Sequence, residues 1–174
     1  MLRLFVGIAL PPELKLRLSL LCVGVPEARW VDAGNFHLTL RFIGEVDEGM
    51  ASDIDAALMR IAAPRFALAL AGVGHFGTHS LWAGVEKSTP LLQLQSKVES
   101  ALQRMGLPAE TRRYAPHVTL ARLRPPLGDH VRAFLAGNAL YRSEPFEVDQ
   151  FSLIASYLTK SGAIYEDRAD YPLR

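Results

Sequence analysis

Two short segments of this chain repeat one another: Phe36-His-Leu-Thr-Leu-Arg-Phe-Ile43 and Pro116-His-Val-Thr-Leu-Ala-Arg122. Each alternates polar and apolar residues with a period of two, the pattern of a half-buried strand. Their histidines, His37 and His117, lie 80 residues apart, and the apolar runs beginning at Phe66 and Phe146 each start 29 residues further on. Each histidine strand also follows a strand and a helix and precedes a helix and a strand. An order of β-α-β-α-β written twice predicts a duplicated, two-lobed α+β domain with pseudo-twofold symmetry.

The remaining elements read as follows. Leu2 to Leu10 is a buried strand that ends at Pro11-Pro12, and a helix runs from those prolines to Val23. Asp47 to Ala63 has an acidic start and an apolar stripe, a helix closed by Pro64. Strands follow at Phe66–Val73 and Leu81–Val85. Leu91, Leu94, Val98, Ala101 and Leu102 mark one face of a helix over 91–105, stopped by Gly106. Asp129 to Leu135 reads as a helix, Phe146 to Ile154 as a strand, and Ala163 to Glu166 as a short last strand after a Lys-Ser-Gly turn. No linker or low-complexity tract interrupts the pattern, so residues 1–174 are read as a single domain.

Composition excludes several classes. The net charge is +1 with a pI near 7.9, so no global basic field exists to hold a duplex through many phosphates. A nucleic acid would be met locally, at an end or a short strand. Cys22 is the single cysteine, which rules out an intramolecular disulfide and a cysteine metal cage and fits a reducing compartment. No apolar run approaches the ~20 residues that span a bilayer, and Pro11-Pro12-Glu13 follows the first apolar run where a cleavage site would be needed. The expectation is a cytoplasmic protein with no membrane partner.

In a strand, residues i and i+2 share a face. His37 and Thr39 therefore point one way and Leu38 and Leu40 the other; His117 and Thr119 repeat this over Val118 and Leu120. A pair of imidazoles can give and take a proton in one turnover near neutral pH, and threonine hydroxyls can donate to non-bridging phosphate oxygens. Two of each would grip a phosphate from both sides, one histidine activating water or a ribose hydroxyl and the other protonating the departing oxygen. This scheme requires no metal or other cofactor. Near-symmetric strands do not say which histidine is acid and which base.

These motifs resemble those of the 2H phosphoesterases, and in particular the RNA 2′,3′-cyclic phosphodiesterases, also called 2′–5′ RNA ligases. The resemblance extends over Arg3-Leu-Phe-Val-Gly-Ile-Ala-Leu-Pro11, Asn35 to Glu45, Leu81-Trp-Ala-Gly-Val85 and Pro116 to Arg122. It implies antiparallel sheets lining a central cleft with helices outside. It also implies His37 as proton donor, His117 as proton acceptor, Thr39 and Thr119 as phosphate ligands, and products that carry a 2′-phosphate. An arginine after the second motif faces the phosphate in this family, which lands on Arg122. Strict alternation puts Arg122 opposite to His117, so the assignment needs a twist or bulge. Arg41 is in phase with His37 and is a second candidate phosphate ligand. Where the family often has an arginine before a serine near the C-terminus, this chain has Ala155-Ser156.

His75 and His79 are spaced as zinc ligands on a helix would be, but stand in a glycine-broken segment with no third ligand nearby. One of them could lie at the pocket mouth, and His130 is expected to be solvated. Arg112-Arg113-Tyr114, with Arg122 and Arg124, is the local basic cluster that could meet RNA, Tyr114 being available to stack on a base. No phosphate loop or dinucleotide fingerprint is present. The expected substrates are RNA ends or cyclic nucleotides, handled by a monomer. A binding module without turnover and reversible 2′–5′ ligation remain alternatives.

Overall fold

The computed structural model describes residues 1–174. In chain order the elements are β1 (Leu2–Ala9), α1 (Pro12–Leu21), β2 (Arg29–Trp30), β3 (His37–Val46), α2 (Glu48–Met59), β4 (Phe66–Leu68), β5 (Leu70–Phe76), β6 (Ser80–Val85), α3 (Thr89–Arg104), β7 (His117–Arg122), α4 (Asp129–Gly137), β8 (Phe146–Val148), β9 (Gln150–Thr159) and β10 (Gly162–Pro172), with one 3₁₀ turn at Ala33–Asn35. Capping follows local chemistry: the Asp47 carboxylate accepts from the Met50 amide at 2.8 Å, and the Ser88 hydroxyl from the Leu91 amide at 3.2 Å. Such caps contribute ~1 kcal/mol each.

The strands form two four-stranded antiparallel sheets, ordered β10-β9-β1-β3 and β2-β7-β6-β5, and a two-stranded ribbon, β4-β8. Two expected strands are each broken in two. The run from Phe66 splits after Leu68 and that from Phe146 after Val148, so that each half supplies one strand to the ribbon and one to a sheet. In the ribbon Ala67 faces Glu147, its equivalent 80 residues later, while Phe66 faces Val148 and Leu68 faces Phe146. The ribbon is thus symmetric about that residue pair, which is what a local twofold axis through it requires. The last strand is longer than expected, 11 residues pairing with β9.

The halves of the sequence exchange partners. β9, from the second half, pairs with β1, and β5, from the first half, pairs with β6. The helices are exchanged too. α2 and α3 cover the first sheet through Ile54, Leu58, Leu91, Leu94, Val98 and Leu102, whereas Leu14 and Leu18 of α1 join Val131 and Phe134 of α4 against the second. Neither sheet can be completed by one half alone. Leu38 and Val118, behind the two motif histidines, are each fully buried in one of these cores. Full burial of such side chains stabilises by ~1.5–3 kcal/mol each, which anchors the polar face in front. No helix is long and apolar enough to cross a membrane.

Candidate active site

The motif strands approach each other, with Cα atoms of β3 and β7 within 8 Å. The Tyr114 hydroxyl donates to the Thr39 carbonyl at 2.8 Å, tying the segment that leads into β7 to β3. Both strands also carry the same irregularity. Thr39 faces Gly7 and Arg41 faces Val6, so Leu40 is an extra residue in β3 with no partner in β1. Thr119 faces Trp82 and Ala121 faces Leu81, so Leu120 is the extra residue in β7. A bulge of this kind shifts every following side chain to the opposite face.

This shift reverses the sequence expectation for Arg41. Instead of sharing the face of His37, it is turned toward α3 and is 8% exposed. Its Nε donates to Glu99 Oε2 at 2.7 Å, and other guanidinium nitrogens donate to the Phe42 and Pro108 carbonyls. Glu99 also accepts from the Glu110 amide and the Gln103 side chain. Burial works to raise the Glu99 carboxyl, but these donors together with Arg41 hold it below its ordinary range. The same shift in β7 brings Arg122 to the face of His117 and Thr119, and the position equivalent to Arg122 in β3 is Phe42, which is 58% exposed.

The two imidazoles are tethered alike. His37 Nδ1 donates to the Asn35 carbonyl at 2.8 Å, and His117 Nδ1 to the Ala115 carbonyl at 2.7 Å, in each case two residues back. A carbonyl can only accept, so Nδ1 carries the hydrogen and Nε2 of the neutral ring is the acceptor. On His37, Nε2 meets the Thr39 hydroxyl at 2.7 Å. The Asn35 side chain donates to the Ala163 carbonyl at 2.7 Å, which fixes this tether against the hairpin before β10.

The walls differ. His37 packs against Phe5 at 4.7 Å between ring centroids and edge-on against Tyr165 at 5.2 Å. Burial pushes its pKa down from the ordinary value, the Asn35 carbonyl works against this, and the charges of His117 and Lys15 lower it further. That response to His117 means the two rings share one electrostatic site. Tyr165 is raised by burial, opposed by Arg122 and Arg3, so Arg122 lies close to the His37 wall. His117 packs edge-on against Phe76 at 4.7 Å and lies 6.3 Å from Trp82. The Trp82 indole rests on Gly74, where any Cβ would come within 2.3 Å of the ring. Phe5, Tyr165, Phe76 and Trp82 were not singled out by sequence reasoning; the signal available was the aromatic content of strands flanking the motifs.

The other sequence candidates fall elsewhere. Tyr114 is not free to stack, because its hydroxyl is tied to Thr39 and its ring packs on the core. Arg112 pairs with Glu110, and His130 with Glu27. His75 Nδ1 is tied to the Gly77 carbonyl at 2.7 Å in the β5–β6 hairpin. No three His, Cys, Asp or Glu side chains are gathered as metal ligands. Cys22 is half-buried on α1's end, and burial pushes its thiol up to about 11.

The family profile described as the 2′-5′ RNA ligase superfamily matches residues 28–158, well over half of the chain. The chain belongs to that superfamily. A relative from Aeropyrum pernix named RNA 2′,3′-cyclic phosphodiesterase is 37% identical over 162 residues, covering 87% of this chain and 89% of its own. One of the same name from Thermotoga maritima is 32% identical, covering 80% and 76%. The crystal structure of E. coli LigT complexed with 3′-AMP superposes with a TM-score of 0.84 at 26% identity, covering 99% and 98% of the two chains. Membership in this superfamily agrees with the 2H phosphoesterase resemblance, the α+β fold and the expectation of an enzyme of the cyclic phosphodiesterase kind.

Proposed function

We propose that this chain hydrolyses 2′,3′-cyclic phosphates at RNA ends to 2′-phosphomonoesters, without a metal, by two-histidine acid–base catalysis. The observation that carries this reading is the paired tether: both Nδ1 atoms donate to carbonyls two residues back, which makes Nε2 the proton-transfer atom of each ring, that of His37 resting on the Thr39 hydroxyl in the free protein. Nε2 of neutral His117 takes a proton from water as its oxygen attacks phosphorus. The bond from phosphorus to the 3′ oxygen breaks, and Nε2–H of protonated His37 gives that oxygen its proton, leaving a 3′-hydroxyl and a 2′-phosphate. Thr39 and Thr119 donate to the non-bridging oxygens, and Arg122 balances their charge. The assignment of acid and base rests on the family resemblance. The curated relatives' names support the substrate class.

The test is product analysis on an oligonucleotide ending in a 2′,3′-cyclic phosphate. The expected result is a 2′-phosphate, at a rate unchanged by EDTA and lowered by ~10²–10⁴-fold in folded His37→Ala and His117→Ala variants. Binding with no product would favour a module without turnover. Supplying a 5′-hydroxyl RNA as the attacking group in place of water tests the alternative outcome, 2′–5′ joining with the same 3′ oxygen leaving, by the same residues.

A further inference from the structure

Arg29 and Arg122 are direct partners where β2 pairs with β7. Direct partners on antiparallel strands project to one face with Cβ atoms roughly 4.5–5.5 Å apart, and like charges placed so repel. Neither arginine has a carboxylate partner, and neither does Arg124 two residues beyond β7's end. The three line a cavity of about 490 Å³ with Pro26, Glu27 and Leu123. Glu27, its one acid, also pairs with His130 at 3.5 Å. The cavity therefore sets three guanidinium groups against one carboxylate. β2 is the edge strand of its sheet and Arg29 is exposed. Arg122 belongs both to this cavity and, through the Leu120 bulge, to the face of His117 and Thr119, so one guanidinium is shared between them.

We propose that this arginine cavity is a second phosphate subsite that holds the internucleotide phosphate next to the cyclic end, making RNA ends better substrates than cyclic mononucleotides. The inference rests on the phosphodiesterase reading above. A cyclic mononucleotide brings a single phosphate, which the histidines and threonines occupy. An oligonucleotide brings a phosphodiester one nucleotide away, and guanidinium forks match its two free oxygens. An anion bridging Arg29 and Arg122 also removes their mutual repulsion. With a net charge of only +1, the molecule offers no general attraction for RNA, so affinity for the strand must come from a local cluster of this kind.

The experiment compares uridine 2′,3′-cyclic phosphate with a uridine dinucleotide ending in the same cyclic phosphate, in the wild type, Arg29→Gln and Arg124→Gln. The wild type should favour the dinucleotide by about tenfold or more in kcat/KM, the scale of one charge-assisted phosphate contact. Arg29→Gln should bring the dinucleotide down toward the mononucleotide, and lower the salt slope of its log kcat/KM by ~0.7, the value for one single-strand phosphate contact. Arg124→Gln should do the same more weakly. Equal efficiency on both substrates in the wild type would overturn the subsite while leaving the phosphodiesterase reading intact. So would an Arg29→Gln variant that slows both substrates equally. If neither substrate is opened, the phosphodiesterase reading fails and the subsite fails with it.

Discussion

His37 and His117 are each tethered to the carbonyl two residues back and each followed by a one-residue bulge, but they are walled differently. His37 lies between Phe5, which is 3% exposed, and Tyr165, with its Nε2 engaged by Thr39. His117 lies against Phe76, which is 40% exposed, and no side chain occupies its Nε2. The two strands share one backbone pattern and one tether, and the side chains around them make the two rings unequal. By itself that inequality runs against a donor role for His37, since the enclosed ring is the harder one to protonate; the negative charge of a bound phosphate is what would hold a proton there. The enclosed ring is desolvated and resists charging when free; the open ring is the one that water reaches.

The largest expected effect breaks the pair itself. Replacing either histidine with alanine should lower kcat/KM by ~10²–10⁴-fold, and the double variant should lose little more than the worse single one, because the two act as a unit. Single-turnover rates on a cyclic-phosphate oligonucleotide check this. Additive losses would mean that the two rings do not serve one step.

A second comparison sets Arg41 against Arg122, two arginines after two motifs. Arg41→Ala should destabilise the fold by ~1–3 kcal/mol, because the Phe42 and Pro108 carbonyls lose their donor and Glu99 keeps only the Glu110 amide and the Gln103 side chain. Arg122→Gln should leave the urea midpoint nearly unchanged and reduce turnover. Urea unfolding of both variants separates the roles, and the opposite pattern would mean that Arg41, not Arg122, faces the substrate.

In the wall of His117, Gly74→Ala would place a Cβ within 2.3 Å of the Trp82 ring. Overpacking of this kind costs ~1–3 kcal/mol. Thermal unfolding, with Trp fluorescence reporting displacement of the indole, should register it. Gly7→Ala, at the β1 position that faces Thr39, meets the Leu38 carbonyl at 3.1 Å and should shift less.

The smallest effects concern pH. Burial lowers His37, so in the free protein it charges only below its ordinary value near 6.5. A proton donor is active when protonated, and activity falls as pH rises through its pKa. Bound phosphate, being negative, favours the charged ring. The alkaline limb of kcat, which reports the bound state, should therefore lie at higher pH than the limb of kcat/KM, which reports the free enzyme. Tyr165→Ser should hydrate the ring and raise the His37 pKa in a proton NMR titration. The sign of the stability effect follows: with the folded pKa depressed, stability present above pH 6.5 is lost as pH falls through the folded value. His37→Gln should flatten that dependence.

The sequence by itself determined much of this protein. Period-two alternation marked both motif strands and the faces of His37, Thr39, His117 and Thr119, apolar spacing located α2 and α3, and Pro11-Pro12 marked the start of α1. These are local patterns, written in neighbouring side chains. The 80-residue offset also carried the twofold relation that the ribbon of Ala67 and Glu147 displays. What only the tertiary structure decided depends on partners distant in the chain. Alternation cannot register a bulge, because the extra residue exists only relative to β1 or β6; hence alternation put Arg41 in phase with His37, whereas it lies behind the cleft. Nor could it show that β5 and β9 change places, since both strands read alike and the choice is made by which sheet buries them. The pairing of Arg29 with Arg122 belongs to the same class: two residues 93 apart become neighbours through the register of a two-residue edge strand.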